Sequence, residues 1–489
     1  MRKTLVCPAC GADADFGPVH VHGEAKGFER YHCDACGADM LTEDLVKKSH
    51  IGVYSPRGQA HGAGGGSLVS VPNGFPHMWR ESYTQGSGNA IISSPNVFNT
   101  TLVAGISRWH ATTINISPFC DSDLPVYNTV FAQLRALNPN IKIYLYNTCS
   151  ILTQNLGPNP TSFVREAWLL ATVPNRRFYC VLDAGVSFPH DGSLPGSDLV
   201  GAAFDLSVAG PTAYANIWKK YGGFGDGYWF DYFLGPVANF VLNAGHELDF
   251  GLAGYGSKSA VNTAATAALT TFATQMASDP KLKVGNSGGF TSLALHQTAA
   301  PAGELLENWP TFPLFDDSMN RALAYQGTDP TGDGTAFLAL YDSTTQTSLT
   351  FAKEARFCLG SACIAGGMGY TGNLGLTYGG VTNHDMDIWA DEYTVDANGV
   401  SDGVGTIAAN RGWLGRPLAF GFKHSSGCWV REFTNGIVIV NGSGGNINHP
   451  LTGTWRRIRG VFNTAVNSGA LVSGTVSVPT SDARFLLRA

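Results

Sequence analysis

Between residues 101 and 367, short apolar runs of strand length alternate with longer stretches in which apolar positions recur at helical spacing. The runs at 111–117 (ATTINIS), 141–147 (IKIYLYN), 178–182 (FYCVL), 283–286 (KVGN), 305–307, 336–341 (AFLALY) and 362–367 predict strands. An eighth is the aromatic run GYWFDYF, which follows the Asp226-Gly227 turn and carries Asp231 near its end. Helical spacing predicts helices over 126–137, 163–170, 213–220 and 258–278, the last with Val261, Ala265, Leu269, Phe272 and Met276 on one face. Eight strands alternating with helices predict a parallel sheet, and the count suits a closed (β/α)8 TIM barrel over 101–404. After residue 405 six short apolar runs follow without helices between them. They predict an antiparallel β-sandwich domain over 405–489.

The polar residues then share an address, because in a parallel barrel the strand C-termini form the working face. Asn147, Asp183, Asp231, Asn286, Glu307 and Tyr341 all end predicted strands, as does Ser117. Taken singly, Ser117 and Asp183 read as loop caps. Asp231 and Glu307 are carboxylates beside aromatic residues, the combination that glycosidic-bond cleavage uses: one acid, one base or nucleophile, and flat platforms for sugar rings. Leu306 and Trp309 give Glu307 the more apolar setting and so the acid role, with Asp231 as base or nucleophile. Trp229, Tyr232 and Trp309 are the candidate platforms, and Asn147, Asn286 and Asn308 the candidate hydroxyl partners. Core packing is the competing reading for each aromatic. No cofactor is expected for this chemistry. A metal-dependent hydrolase using Asp231, His246 or His384 is the weaker rival, since the barrel region has no H-x-H or H-E-x-x-H spacing.

Residues 1–50 differ in kind. Cys7, Cys10, Cys33 and Cys36 form two C-x-x-C pairs, and four thiolates at that spacing predict a closed tetrahedral zinc site, structural in role, within a zinc ribbon. Replacement of one sulfur by His20, His22 or His32 is the looser alternative. With only Lys26 and Arg30 between the pairs, the ribbon suits docking to a protein partner. Residues 51–100 include HGAGGGS and predict a glycine-rich linker or arm. The other six cysteines stand singly and read as buried thiols.

Composition adds loops and removes partners. The 489 residues include 60 glycines and only 14% charged residues, and the net charge of −6 speaks against nucleic acid. No apolar run is long enough to insert in a membrane, and the N-terminus has no apolar leader. Folding in the cytoplasm is therefore expected. Delivery as part of a phage tail or virion, in a homo-oligomeric assembly, would reconcile that with a polysaccharide substrate at a cell surface.

The chain resembles glycosyl-hydrolase-like proteins with a (β/α)8 barrel and a C-terminal β-domain. The resemblance runs over 111–489 and is carried by DGYWFDYF, GELLENW, WADEYTVD, RGWLGRPLAF, WVREFTNGIVIVNGS and SDARFLLRA. It implies Asp231 on the fourth strand and Glu307 on the sixth as the catalytic pair. A barrel that binds glycan or holds an assembly together without cleaving is the alternative, because fold alone does not fix function.

Overall fold

The computed structural model describes residues 74–82, 100–115, 124–148, 210–231, 256–286, 303–307, 315–325, 337–343, 348–373 and 389–489, with short strands at 4–6, 13–19, 30–33, 39–41, 92–93, 97–98, 151–152, 179–181, 187–188, 202–203, 247–249, 377–378 and 381–382. Eight strands form one parallel sheet: β1 (Trp79–Ser82), β2 (Ala111–Asn115), β3 (Lys142–Thr148), β4 (Gly227–Asp231), β5 (Leu282–Asn286), β6 (Gly303–Glu307), β7 (Phe337–Ser343) and β8 (Met368–Asn373), neighbours in chain order. The first and last strands meet, since Met78 bridges Gly369 in parallel and the Gly369 N–H donates to the His77 carbonyl at 3.1 Å.

The registers fix how the sheet closes. The pairings Trp79↔Ala111, Ala111↔Lys142, Tyr144↔Gly227, Gly227↔Leu282, Val284↔Gly303, Leu305↔Leu338 and Leu338↔Met368 advance the residue number by 283, whereas the closing bridge from Met78 to Gly369 advances it by 291. The difference of eight is the stagger of the barrel, and eight strands with a stagger of eight are the TIM-barrel values.

Two predicted strands are corrected. The run at 178–182 lies outside the barrel: Tyr179–Val181 pairs antiparallel with Ser187–Phe188 and with Glu247–Asp249. These segments belong to the connections after β3 and β4, so the two loops join through a small sheet of their own. An apolar run of that length suits either setting, and periodicity does not separate them. The run at 362–367 mostly ends helix α6, and the strand begins at Met368. The missing strand is β1, inside the predicted 51–100 arm. Its sequence WRES has two charged residues in four and gives no apolar signal.

The described helices that alternate with these strands are α1 (Thr100–Ile106), α2 (Leu124–Leu137), α3 (Pro211–Gly222), α4 (Lys258–Ala277), α5 (Phe315–Tyr325) and α6 (Ser348–Ala365). Trp218 of α3 and Phe272 of α4 meet Phe230 of β4 with ring centroids 4.8 and 5.3 Å away. The orphan carbonyls at the end of α3 are held by the Lys281 ammonium, which donates to Gly222, Gly223 and Gly225 at 3.1, 2.5 and 2.9 Å. Asp226 of the Asp-Gly turn accepts from the Ile143 N–H at 2.9 Å and pairs with Arg135 at 3.2 Å, which ties the start of β4 to β3.

The C-terminal part is one six-stranded antiparallel sheet, not a two-sheet sandwich. Its strands β9 (Phe422–Lys423), β10 (Trp429–Glu432), β11 (Gly436–Asn441), β12 (Ile447–Arg457), β13 (Leu471–Val478) and β14 (Asp482–Arg488) lie in the order β9-β10-β11-β14-β12-β13. Alternation sends Val438, Val440, Phe485 and Leu487 toward α6 and the barrel core. Ile437, Ile439 and Leu486 enter a second core with Trp455, Val476 and Val478. The missing second layer is thus supplied on one side by α6 and on the other by the curl of the sheet. Short runs without helices do not distinguish these arrangements in sequence.

Candidate active site

Which strand positions face the barrel interior follows from packing. Trp229 meets Trp79 edge-on at 5.8 Å and Tyr146 at 4.6 Å, so these three are interior. Phe230 packs on the helices, and a Cβ on Gly369 would lie 2.9 Å from the backbone of Leu359 in α6, so these two face outward. Registered neighbours share a face, and alternate residues along a strand share it too.

A stagger of eight over eight strands raises each successive strand by one residue, so alternate strands contribute to common horizontal layers. Counting from the floor, Ala111, Gly227, Gly303 and Met368 form one layer, and Trp79, Tyr144, Val284 and Leu338 the next. Thr113, Trp229, Leu305 and Tyr370 follow, then Glu81, Tyr146, Asn286 and Leu340. The uppermost complete layer is Asn115, Asp231, Glu307 and Gly372, at the C-terminal mouth.

Asp231 and Glu307 therefore occupy the same layer, on β4 and β6. Two strand spacings put their Cα atoms about 10 Å apart. Asn286, on the intervening β5, lies one layer below and is only 4% exposed. Reading the sequence thus brings these three to one place.

Other expected residues sit elsewhere. Trp229 is 1% exposed two layers beneath the carboxylates, with its ring in the barrel core and not open as a sugar platform. Asn147 registers with Phe230 and Tyr341 with Thr371, so both hold positions on the helix-facing side. Their neighbours Thr148 and Asp342 hold the interior positions, just above the layer of the pair. Asp183, Tyr232, Asn308 and Trp309 lie outside the described residues, as do His246 and His384. The sequence reading did not find Glu81, Asn115, Thr148, Asp342 or Gly372. Strands buried on both faces read as continuous apolar runs, so facing was not legible from alternation.

The motifs that carry the family resemblance after residue 389 do different work. The Asp391 carboxylate accepts from three successive N–H groups, Val461, Phe462 and Asn463, at 2.8–2.9 Å. Arg356 of α6 pairs with Asp482 through two bonds at 2.9 and 3.2 Å and lies 3.9 Å from Glu392. Arg431 donates to the Cys363, Ile364 and Ala419 carbonyls, which caps the end of α6. The WLGRP segment clamps the entry to β1, with Phe75 N–H to Gly415 O at 2.9 Å and Leu414 N–H to Phe75 O at 2.7 Å. Trp389 and Tyr393 meet Trp109 edge-on, just before β2. The contacts to Phe75 and Trp109 lie at the N-terminal ends of the strands, the face of a barrel that serves stability.

Of the four cysteines expected to form a zinc ribbon, Cys33 closes the strand Arg30–Cys33, and Cys7, Cys10 and Cys36 lie outside the described residues. Cys358, Cys363 and Cys428 are buried thiols, as read from sequence. Among the described residues no group of three or more His, Cys, Asp or Glu is placed to hold a metal, and no helix is long and apolar enough to cross a membrane.

No protein-family model matches the chain, and no curated protein does. Among solved structures, similarity is found to a pullulanase from Bacillus acidopullulyticus, 11% identical with a TM-score of 0.39 over 94% of this chain and 67% of that one. An α-amylase from Malbranchea cinnamomea is 10% identical with a TM-score of 0.40 over 84% and 96%. A cyclic α-maltosyl-(1→6)-maltose hydrolase from Arthrobacter globiformis is 12% identical with a TM-score of 0.37 over 84% and 99%. At such values the barrel rests on its own strand registers.

Proposed function

We propose that the chain is a glycoside hydrolase that cleaves a polysaccharide at the C-terminal mouth of the barrel, with Asp231 and Glu307 as the carboxylate pair. The observation that carries this is their common layer, separated by one strand whose own interior residue is the buried Asn286. Glycosidic cleavage needs two carboxyl groups flanking one bond, and adjacent positions of one layer at the barrel mouth suit that need. Glu307 is assigned the acid and Asp231 the base or nucleophile. Asn286 and the segments that follow β4 and β6, with Tyr232, Asn308 and Trp309, are assigned to sugar binding. Reducing-end release from surface polysaccharides tests the reading: wild type should be active, and Asp231→Asn and Glu307→Gln should each lose at least about 100-fold. Binding of glycan with no cleavage by wild type would favour the non-catalytic barrel. A place in a phage tail or virion, acting at a cell surface, belongs to the same proposal, and absence from purified virions would remove it.

A structural zinc is proposed for the N-terminal segment. The strands Thr4–Val6 and Arg30–Cys33 both pair antiparallel with Asp13–Val19 and so run in the same direction. Val6 and Cys33 are therefore the C-terminal ends of two strands that run the same way beside Asp13–Val19, an arrangement compatible with a Cys₄ site. Elemental analysis should find about one zinc per chain, lost in Cys33→Ser.

A further inference from the structure

We propose that the turn between β9 and β10 is an acid-sensitive latch: protonation of His424 releases the turn from β12 and, through it, the anchor of α5. The turn reads His424-Ser425-Ser426-Gly427-Cys428. It is closed by the His424 N–H to the Cys428 carbonyl and the Gly427 N–H to the His424 carbonyl, both at 2.8 Å, with Gly427 at a φ of 95°. The Ser426 N–H donates to His424 Nδ1 at 3.0 Å, and Ser426 Oγ lies 2.9 Å from Nδ1 of His449 on β12. One serine thus touches both imidazoles, whose rings meet edge-on at 4.7 Å.

A backbone N–H can only donate, so the Ser426–His424 bond needs a lone pair on Nδ1, which the neutral ring offers when its proton is on Nε2. Protonation puts a hydrogen on Nδ1, against the Ser426 N–H, and the bond is lost. The surroundings offer no compensation. His449 is 3% exposed, and burial, then the neighbouring His424, pushes it down to about 4; burial lowers His424 as well. The Phe422 ring lies 6.5 Å from His424, and β13 sets Val476 opposite His449. The Cys428 thiol, pushed up to about 11 by burial, is neutral, and the Lys423 ammonium is paired with Asp316 of α5. Among the described residues neither ring is paired with a carboxylate. Acid therefore places charge on two apposed rings that nothing beside them neutralises.

The effect reaches α5 because the two strands joined by this turn hold its first turn. Lys423 of β9 pairs with Asp316, and Trp429 Nε1 of β10 donates to the same carboxylate at 2.8 Å. Both histidines have folded values below the unfolded one. Their contribution to holding the turn is therefore complete above about pH 6.5 and is lost as pH falls through the folded values.

The test is hydrogen exchange of the full chain between about pH 7 and 5, corrected for the intrinsic pH dependence, together with nitrogen-15 NMR of labelled histidine. Protection of the peptide from His424 to Phe433 should fall at least about tenfold, and that of the first turn of α5 with it, while β4 stays protected. His424 should carry its proton on Nε2 at pH 7 and titrate below the ordinary histidine range. His424→Asn, whose side-chain oxygen can accept at the Nδ1 position and does not titrate, should remove most of the fall. If that variant does not fold, the wild-type tautomer and midpoint decide. Protection independent of pH, an equal fall in His424→Asn, or a His424 that carries its proton on Nδ1 and titrates in the ordinary range overturns the proposal. A turn that opens while α5 stays protected overturns the release of α5.

Discussion

Glu392 is fully buried, and burial pushes its carboxyl up to about 7, against the pull of Arg356 and the Asn467 amide bond at 2.7 Å. Because its folded value lies above the unfolded one, the folded state holds this proton more tightly. Its contribution to stability is therefore complete below the ordinary carboxylate range and is lost as pH rises through about 7. The size is on the order of 3 kcal/mol. Thermal unfolding between about pH 5 and 8 should show wild type losing stability with a slope that Glu392→Gln largely removes; equal slopes would refute the assignment. Residues of this kind show what a single sequence hides. WADEYTVD reads as a polar segment after the last strand, yet its Asp391 and Glu392 are 1% exposed and hold the Phe462 loop and α6. At the mouth, Asp231, Glu307 and Asn286 were legible because each ends its strand. Thr148 and Asp342 were missed by a single position, the difference between the two faces of a strand.

At the scale of elements, α6 is the joint. One side lies on β7 and β8, the other on β10, β11 and β14, and Gly360 lets the sheet approach so closely that a Cβ there would meet the Ala483 Cβ at 2.7 Å. Arg356 neutralises the buried side of this contact, its own charge opposed by burial but held by Glu392 and Asp482. Arg356→Ala should cost about 3 kcal/mol, because it breaks the buried two-bond pair with Asp482, although Arg484 still pairs with that carboxylate at 2.8 Å. Gly360→Val should cost about 1–3 kcal/mol through overpacking. Denaturant midpoints will measure both, and activity at low temperature should survive in whatever fraction stays folded. The alternation of strand and helix was legible because most barrel strands are apolar and bounded by turns. β1 was not, since its burial comes from Trp79 and Arg80 in a four-residue strand whose partners lie at opposite ends of the sequence.

Among the described residues, one core spans the barrel and the C-terminal sheet. A continuous set of buried side chains runs from Trp79, Trp229, Val284 and Leu305 inside the barrel, through Phe357, Leu359 and Ile364 of α6, to Val438, Val440 and Phe485 of the sheet. The chain before β1 is also hydrogen-bonded to the WLGRP segment some 340 residues later, so closing the barrel at Met78 and Gly369 depends on the C-terminal part being in place. A boundary at residue 405 separates two sequence rhythms but cuts through one packed unit. Domains that share a core unfold together, and elements inside one cooperative unit exchange their amide hydrogens with the same free energy. Hydrogen exchange should therefore give β4 and β11 equal opening free energies across a denaturant series, and a chain ending at residue 404 should not yield a folded barrel. If β11 opens well before β4, or the shortened chain folds and cleaves glycan, the C-terminal sheet is an accessory; if they open together, the sheet is part of what holds Asp231 and Glu307 in one layer.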